Sequence, residues 1–216
     1  RDSTIPFLIS TLLKNNNIFY VAKNDSELSN IYNFLSYNFK DIHIFKIPAW
    51  DCLPYDISSP NFSIVSERIK SFSKLCFFKK NKEKNIFLTT INALVTKTAP
   101  RGFYKKNFIS LTNKTEHSLN TLTNFLINTG YKRVQTVREL CEFSLRGSIL
   151  DIFPIGYSKA FRIDFFGQTI ETIKVMDPLT QRSSVHVENI NIYSSNEYLL
   201  SEENIENFRK KFRSLY

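Results

Sequence analysis

Two consecutive segments decide the fold of the second half of this chain: CEFSLRGSILDIFP, from Cys141 to Pro154, and FRIDFFGQTIETIKVMDP, from Phe161 to Pro178. Apolar and polar residues alternate in both, which is typical of strands that bury one face. Gly167-Gln168 separates two such runs and predicts a hairpin turn. We therefore expect an antiparallel sheet made from neighbouring strands.

The alternation also predicts which side chains lie opposite the buried face of this sheet. In FSLRG, Phe143 and Leu145 point to the core, so Arg146 points away from it. In FRIDFF, the same rule places Arg162 and Phe166 on the opposite face. An exposed phenylalanine beside arginines has the composition of a protein interface, where guanidinium groups engage carboxylates in pairs. Arg146, Arg162 and Phe166 are thus the candidate binding residues.

A structural interpretation of the same residues competes with this one. Arg146 would pair with Glu142 or Asp151, and Arg162 with an acid on a neighbouring strand. Phe166 would then cover the hairpin turn as a minor core residue. Alternation alone favours this structural interpretation. Gly147, directly after Arg146, predicts a bulge or an unusual backbone angle.

The rest of the second half predicts a small α+β domain. SLNTLTNFLINTGY is one amphipathic helix, and Gly130 is its expected C′ residue. The predicted strands are Phe143–Leu145, Ser148–Phe153, Phe161–Phe166, Thr169–Met176 and approximately Ser184–Tyr193.

Residues 1–106 alternate helical and strand-like patterns, which predicts a parallel α/β sheet. The expected elements are a helix from Pro6, a strand at Asn17–Lys23 covered on both faces, a helix capped by Asp25 or Ser26 with Leu28, Ile31 and Leu35 inward, a strand at Ile42–Ile47, a helix with Phe62, Val65, Ile69, Phe72 and Cys76 on one face, a strand at Asn85–Thr90 and a short helix in INALVTK.

Several kinds of site are not supported by the sequence. None of the five glycines begins a phosphate-binding GxxxxGK[ST] or GxGxxG motif, and no GxSxG motif occurs. The three cysteines and three histidines are too scattered for a disulfide framework or a zinc site, which favours a reducing cytoplasm. No apolar run is long enough to span a membrane. Asp51 with Asp56, and Asp151 with Asp164, fit capping and ion pairing better than acid–base catalysis. We therefore expect a binding module and no enzyme.

The net charge of +9 raises direct DNA binding as an alternative. Dense basic runs are few, however, and solvated surface charge explains them more simply. The two runs are Lys79, Lys80, Lys82 and Lys84, and Arg209, Lys210, Lys211 and Arg213.

Three segments together resemble the N-terminal region of the bacterial transcription-repair coupling factors, which is itself similar to the excision-repair protein UvrB. They are PAWDCLPYDISSPNFSIVSERIKSF (Pro48–Phe72), CEFSLRGSILDIFP, and FRIDFFGQTIETIKVMDPLTQRSS (Phe161–Ser184). The missing P-loop and the sequence WDCLPYD depart from UvrB, so the coupling factors are the better match. A UvrB-type ATP-dependent enzyme that recognises DNA damage stays open as an alternative.

The resemblance implies a fold, partners and site residues. Residues 1–106 would form a degenerate P-loop-type (RecA-like) domain without a nucleotide site, and residues 107–195 an inserted domain that binds UvrA through Arg146, Arg162 and Phe166. Residues 196–216 would begin the return to the first domain, against which the apolar stripe Ile205, Phe208, Phe212 and Leu215 is expected to pack. RNA polymerase, DNA, ATP and Mg²⁺ would bind only to later domains. Trp50 and Tyr55 are expected to fold back onto the first domain.

Overall fold

The computed structural model describes residues 4–13, 17–40, 42–52, 57–77 and 85–215. The chain forms two compact units, one ending at Arg101 and the other beginning at Gly102. None of the helices in the described ranges combines the length and the apolar character needed to cross a membrane.

The first unit alternates helices and strands, as the sequence predicts. Its elements are α1 (Thr4–Leu12), β1 (Ile18–Ala22), α2 (Asp25–Asn38), β2 (His43–Ile47), α3 (Phe62–Phe77), β3 (Asn85–Thr90), α4 (Ile91–Val95) and the start of α5 (Arg101–Lys106).

A parallel sheet with the strand order β1-β3-β2 forms the centre of this unit. Ile18 pairs with Ile86 and His43 with Asn85, so the central strand β3 is bonded on both sides and all six of its residues are buried. β1 differs from the prediction, because Phe19 and Val21 are exposed. The apolar run of β1 is therefore covered on one face only in the described residues.

The helix α2 packs on the sheet through the three predicted residues, Leu28, Ile31 and Leu35. Its N-cap is Asn24, whose side chain accepts a hydrogen bond from the backbone N–H of Glu27. The prediction of Asp25 or Ser26 as the cap was wrong by one or two positions. Asn is as good a cap as Asp, because its short side chain also carries an acceptor oxygen.

The helix α3 buries Val65 and Ile69 as predicted, but Phe62 at its first turn is exposed. A charged residue takes part in the buried side instead. Arg68 is fully buried, donates to the backbone oxygen of Pro48 at 2.7 Å and lies 4.3 Å from the centre of the Trp50 ring. Trp50 therefore folds back onto the first unit, as expected, whereas Tyr55 lies outside the described residues.

Among the described residues, every antiparallel strand pair lies in the second unit. After α5 its elements are β4 (Phe108–Thr112), α6 (Leu119–Asn128), β5 (Lys132–Arg133), β6 (Glu142–Arg146), β7 (Ile149–Ile152), β8 (Ala160–Phe166), β9 (Thr169–Met176), β10 (Ser183–His186), β11 (Asn189–Tyr193) and α7 (Glu202–Leu215).

The main sheet has the order β10-β9-β8-β7-β6-β5 and is antiparallel except for the β5–β6 pair. Two hairpins with two-residue turns build its centre. Gly167-Gln168 forms the predicted turn, and Gly147 has the predicted positive φ, at +60°. Gly147 lies in the hairpin turn between β6 and β7 and not at a bulge. The register shifts of this sheet lie at Asp164/Phe165 on β8 and at Ser183/His186 on β10.

The predicted strand Ser184–Tyr193 is two strands in two sheets. β10 pairs with β9, whereas β11 pairs with β4, a strand that the sequence analysis did not identify. The chain changes sheets at Val187-Glu188, where no glycine or proline marks the break. This absence of a turn residue explains the error.

The helix α6 buries Leu122 and Leu126 and ends as predicted. Gly130 follows the cap residue Thr129 with φ +88°, in the left-handed region that glycine adopts without strain. The last helix, α7, is different, because Phe208, Phe212 and Leu215 on its apolar stripe are exposed. The expected contact of this stripe with residues 1–106 stays a prediction.

Candidate functional site

The polar face of the main sheet brings the predicted site residues together in adjacent rows. Asp151 on β7 pairs directly with Arg162 on β8, and Arg162 pairs with Lys174 on β9. One step along the strands, Arg146 on β6 lies opposite Ile149 on β7. Because side chains directly opposite or diagonal across strands are within reach of each other, the sheet itself assembles this cluster.

Asp151 is the centre of the cluster. Its Oδ1 accepts from Nε of Arg162 at 2.7 Å, and its Oδ2 accepts from Nη2 of the same arginine at 2.9 Å. Oδ2 also accepts from Nη2 of Arg146 at 2.5 Å. The Asp151 side chain is 1% exposed, so this carboxylate is buried between two guanidinium groups.

Arg162 is held on several sides. Its Nη1 donates to the backbone oxygen of Gln181 at 3.2 Å, and its Nη2 also contacts the sulfur of Met176. Hydrogen bonding to Asp151 raises the pKa of Arg162, with the charges of Asp151 and Asp164 adding to the effect and desolvation opposing it. This guanidinium therefore stays charged at every physiological pH, although only 20% of its side chain is exposed.

A second acid on the same face has its own partners. Asp164 on β8 accepts from the hydroxyl of Thr172 at 2.7 Å and from Nζ of Lys174 at 3.2 Å. The cluster contains three cations, Arg146, Arg162 and Lys174, and two carboxylates, so its net charge is +1. The two acids, Asp151 and Asp164, act here in ion pairs.

Phe166 lies at the end of β8, immediately before the turn at Gly167, and 80% of it is exposed. Arg146 ends β6 before the other hairpin turn, and 53% of its side chain is exposed. Arg162 is less exposed than these two residues, and its guanidinium lies between Asp151 and the backbone oxygen of Gln181. We refer to Arg146, Arg162 and Phe166 as the Arg–Phe surface.

The face that carries the Arg–Phe surface is not exposed along its whole length. Its other end carries Ala160 and Met176, which are fully buried in a cluster with Val137. Gln181, which follows β9, also donates to the backbone oxygen of Val137 at 2.9 Å. This hydrogen bond joins the loop after β9 to the segment between β5 and β6. Strand alternation identifies the face of a side chain but gives no information on the loops above it.

The structure combines the two competing interpretations of the arginines. Both pair with Asp151, which confirms the structural interpretation of Arg146 with Asp151 and of Arg162 with an acid on a neighbouring strand. Phe166 remains exposed, as the interface interpretation requires. The shared use of one carboxylate was missed. The register of β7 against β8, with Asp151 opposite Arg162, is the signal that would have revealed it.

Other residues considered in the sequence lie apart from this cluster. Asp51 accepts from the backbone N–H of Asn61, a structural role, while Asp56 lies outside the described residues. The lysine run at residues 79–84 is likewise outside them, and the run at residues 209–213 is exposed on α7. Within the described ranges, no three His, Cys, Asp or Glu side chains come together as a metal-binding group.

Comparisons with known proteins give this cluster a context. Residues 109–198 match the family described as the UvrB interaction domain, a range that includes the whole Arg–Phe surface and Asp151. The chain is 32% identical to the transcription-repair-coupling factor of Rickettsia bellii over 208 residues, which are 95% of this chain and 18% of that protein.

Two further relatives carry the same description. The transcription-repair-coupling factor of Haemophilus influenzae is 32% identical over 82% of this chain, and that of Escherichia coli is 29% identical over 82% of it. The match is 15% of the length of each of these two proteins, so the chain spans less than a fifth of the relatives named here. Residues 109–198 therefore match the family described as the UvrB interaction domain, and the chain is similar over most of its length to bacterial transcription-repair-coupling factors.

Proposed function

We propose that this chain is a non-catalytic interaction module of transcription-coupled DNA repair, and that it recruits UvrA through the Arg–Phe surface. The names of the matched family and of the relatives support the repair role. The observation that carries the assignment of the surface is Phe166, an 80% exposed aromatic ring on the same face as Arg146 within the matched residues. Exposed aromatic and arginine side chains are the residue types enriched in binding hot spots.

The proposal assigns a role to each part of the chain. Residues 107–195 contain the UvrA-binding domain, and residues 1–106 form a degenerate P-loop-type domain without a nucleotide site. Residues 196–216 lead back to that domain. We propose that ATP, Mg²⁺, DNA and RNA polymerase bind to other domains of a longer cytoplasmic protein. The small share of each relative that this chain covers supports placing those functions elsewhere.

Titration calorimetry with purified UvrA tests the proposal. Arg146→Glu combined with Arg162→Glu reverses two charges of the surface and should abolish measurable binding. The matched control is Arg133→Glu together with Lys132→Glu, a double reversal on the exposed edge strand β5 of the same sheet, which should leave the affinity unchanged. Unchanged affinity in the Arg146/Arg162 variant would remove the proposed surface.

Direct DNA binding is the second candidate function, and the exposed cations of α7 are the observation in its favour. Arg209, Lys210, Lys211 and Arg213 lie within five residues, and only Lys210 is paired with an acid in the described structure, with Glu206 at 3.9 Å. Binding through phosphates loses affinity steeply as salt increases. Titration with duplex DNA at two salt concentrations separates this function from UvrA binding, because removal of the α7 cations should affect only the DNA titration.

A further inference from the structure

We propose that Asp151 is a positioning residue, which holds the guanidinium of Arg146 ready for the partner and uses Arg162 as its support. This inference rests on the proposed function and assigns different roles to Asp151 and to the three residues of the Arg–Phe surface. Arg146 and Phe166 contact the partner, whereas Asp151 and Arg162 act through Arg146.

The hydrogen bonds of Arg162 indicate that this residue holds Asp151 in place and does not contact the partner directly. Of the five N–H groups of a guanidinium, Arg162 directs Nε and one Nη2 hydrogen to Asp151. A second Nη2 hydrogen is directed to the sulfur of Met176, and one Nη1 hydrogen to the backbone oxygen of Gln181. A single N–H group remains, and four-fifths of the side chain is covered. Arg162 therefore has little capacity left for a partner.

In contrast to Arg162, Arg146 uses few of its guanidinium N–H groups within the chain. One hydrogen of its Nη2 is directed to Asp151, which leaves four N–H groups without a partner in the described structure. More than half of the side chain is exposed, and the residue adjoins the hairpin turn at Gly147. Arg146 is thus the cation of this surface that is able to form new hydrogen bonds with a docking protein.

Asp151 connects the two arginines in a way that fixes Arg146. Its own position is fixed by the strand β7, by burial and by the two-point contact with Arg162. A long arginine side chain that is immobilised on binding loses rotamer freedom, and this loss weakens association by a factor of about 2 to 13. Because Asp151 already holds one end of the Arg146 guanidinium, much of that loss occurs during folding instead of during binding.

The chain provides a matched control for this idea. Asp164 lies on the same face, one row from Asp151, and accepts hydrogen bonds from Thr172 and Lys174 but from no arginine of the described residues. Asp151→Asn and Asp164→Asn each remove one negative charge without changing the shape of the side chain. A nonspecific effect of charge on UvrA binding would appear in both variants, whereas a positioning effect would appear only in Asp151→Asn.

The test is a double-mutant cycle measured by titration calorimetry with UvrA. Asp151→Asn should weaken binding about tenfold, and Asp164→Asn by less than about twofold. In an Arg146→Ala background, Asp151→Asn should have no further effect, because its action passes through Arg146. The inference is overturned if Asp151→Asn costs the same factor in both backgrounds, or if it has no effect in the parent chain.

A second variant and a second measurement distinguish a loss of Arg146 positioning from a general folding defect. Arg162→Lys keeps the positive charge but loses the two-point contact, and it should reproduce the loss seen in Asp151→Asn, again only when Arg146 is present. In the free protein, ¹⁵N relaxation at Nε of Arg146 should report greater mobility in Asp151→Asn than in Asp164→Asn. Equal mobility in the two variants contradicts the positioning role.

The outcomes distinguish failure of this inference from failure of the proposed function. If Arg146→Ala and Phe166→Ala weaken binding but Asp151→Asn does not, UvrA binding at the surface stands and the positioning role falls. If neither Arg146→Ala nor Phe166→Ala changes the affinity, both proposals fall together.

Discussion

Arg162 and Asp151 face each other directly across β8 and β7 and join in a two-point ion pair, with distances of 2.7 and 2.9 Å. The carboxylate is buried, and Arg146 completes its hydrogen bonding from the diagonal position on β6. One carboxylate thus organises both cations of the proposed docking surface. The cost of breaking such a buried contact depends on which partner is removed, which leads to the first prediction.

Arg162→Met should lower the free energy of unfolding by roughly 3 kcal/mol, because it leaves a buried carboxylate with one partner. Arg146→Met should cost less than about 1 kcal/mol, because that side chain is more than half exposed and its pairing is screened by solvent. Urea unfolding followed by circular dichroism measures both values. Equal losses in the two variants would contradict the unequal roles assigned to the arginines.

Gly130→Ala should destabilise the second unit by about 1–3 kcal/mol. Gly130 has φ +88°, and a Cβ at this position would lie 2.3 Å from Oγ of Ser195. Gly102→Ala is the control, because Gly102 lies in α5 with nothing within 4 Å of the added carbon. In a helix this replacement should be neutral or stabilise by up to about 1 kcal/mol. Thermal unfolding of the two variants should therefore change in opposite directions or by clearly different amounts.

Burial of Cys141 predicts a decline in stability at alkaline pH. Burial raises the pKa of the Cys141 thiol from 9.0 to about 12, so the folded chain keeps the proton that the unfolded chain releases. The stabilising contribution is complete below pH 9 and is lost as the pH rises towards 12. Urea unfolding between pH 8 and pH 11 should show this fall, and Cys141→Ala should make it shallower. A slope that is unchanged in the variant would show that the thiol is not responsible.

Arg68→Met should destabilise the first unit by roughly 2–4 kcal/mol, because it removes a buried charged donor from its partners. The change removes the hydrogen bond to the Pro48 oxygen and the contact with the Trp50 ring, both of them buried or half-buried. Trp50 is the only tryptophan of the chain, so its fluorescence follows unfolding of this unit. Arg101→Met, which removes an exposed hydrogen bond to the Cys76 oxygen, is the control and should cost less than about 1 kcal/mol. Similar losses in both variants would contradict a special role for Arg68.

Much of the fold follows from local patterns in the sequence. The spacing of Leu28, Ile31 and Leu35 predicts α2, and the alternation in FRIDFF predicts β8 with its faces correctly assigned. Both predictions depend only on the repeat of a helix or a strand. Errors arise where distant segments decide the outcome, as in the change of sheet between β10 and β11.

The sequence predicted which residues form the candidate site but not which of their side chains pair with each other. Alternation places Arg146, Arg162 and Phe166 on one face, as the structure has them. The register between β7 and β8, which brings Asp151 to both arginines, depends on pairing across a loop. Burial of Arg162 depends on Gln181, which is distant in sequence. Neither relationship is encoded in a local repeat.

The most direct test of the central claim is the affinity of the Phe166→Ala variant for UvrA. Because Phe166 is 80% exposed, its truncation should leave the melting temperature within about 2 °C of the parent while weakening binding by about 30-fold, or 2 kcal/mol. Ile127→Ala, an exposed apolar truncation on α6, should leave the affinity within about twofold. If Phe166→Ala binds UvrA as tightly as the parent chain does, the Arg–Phe surface is not the docking site.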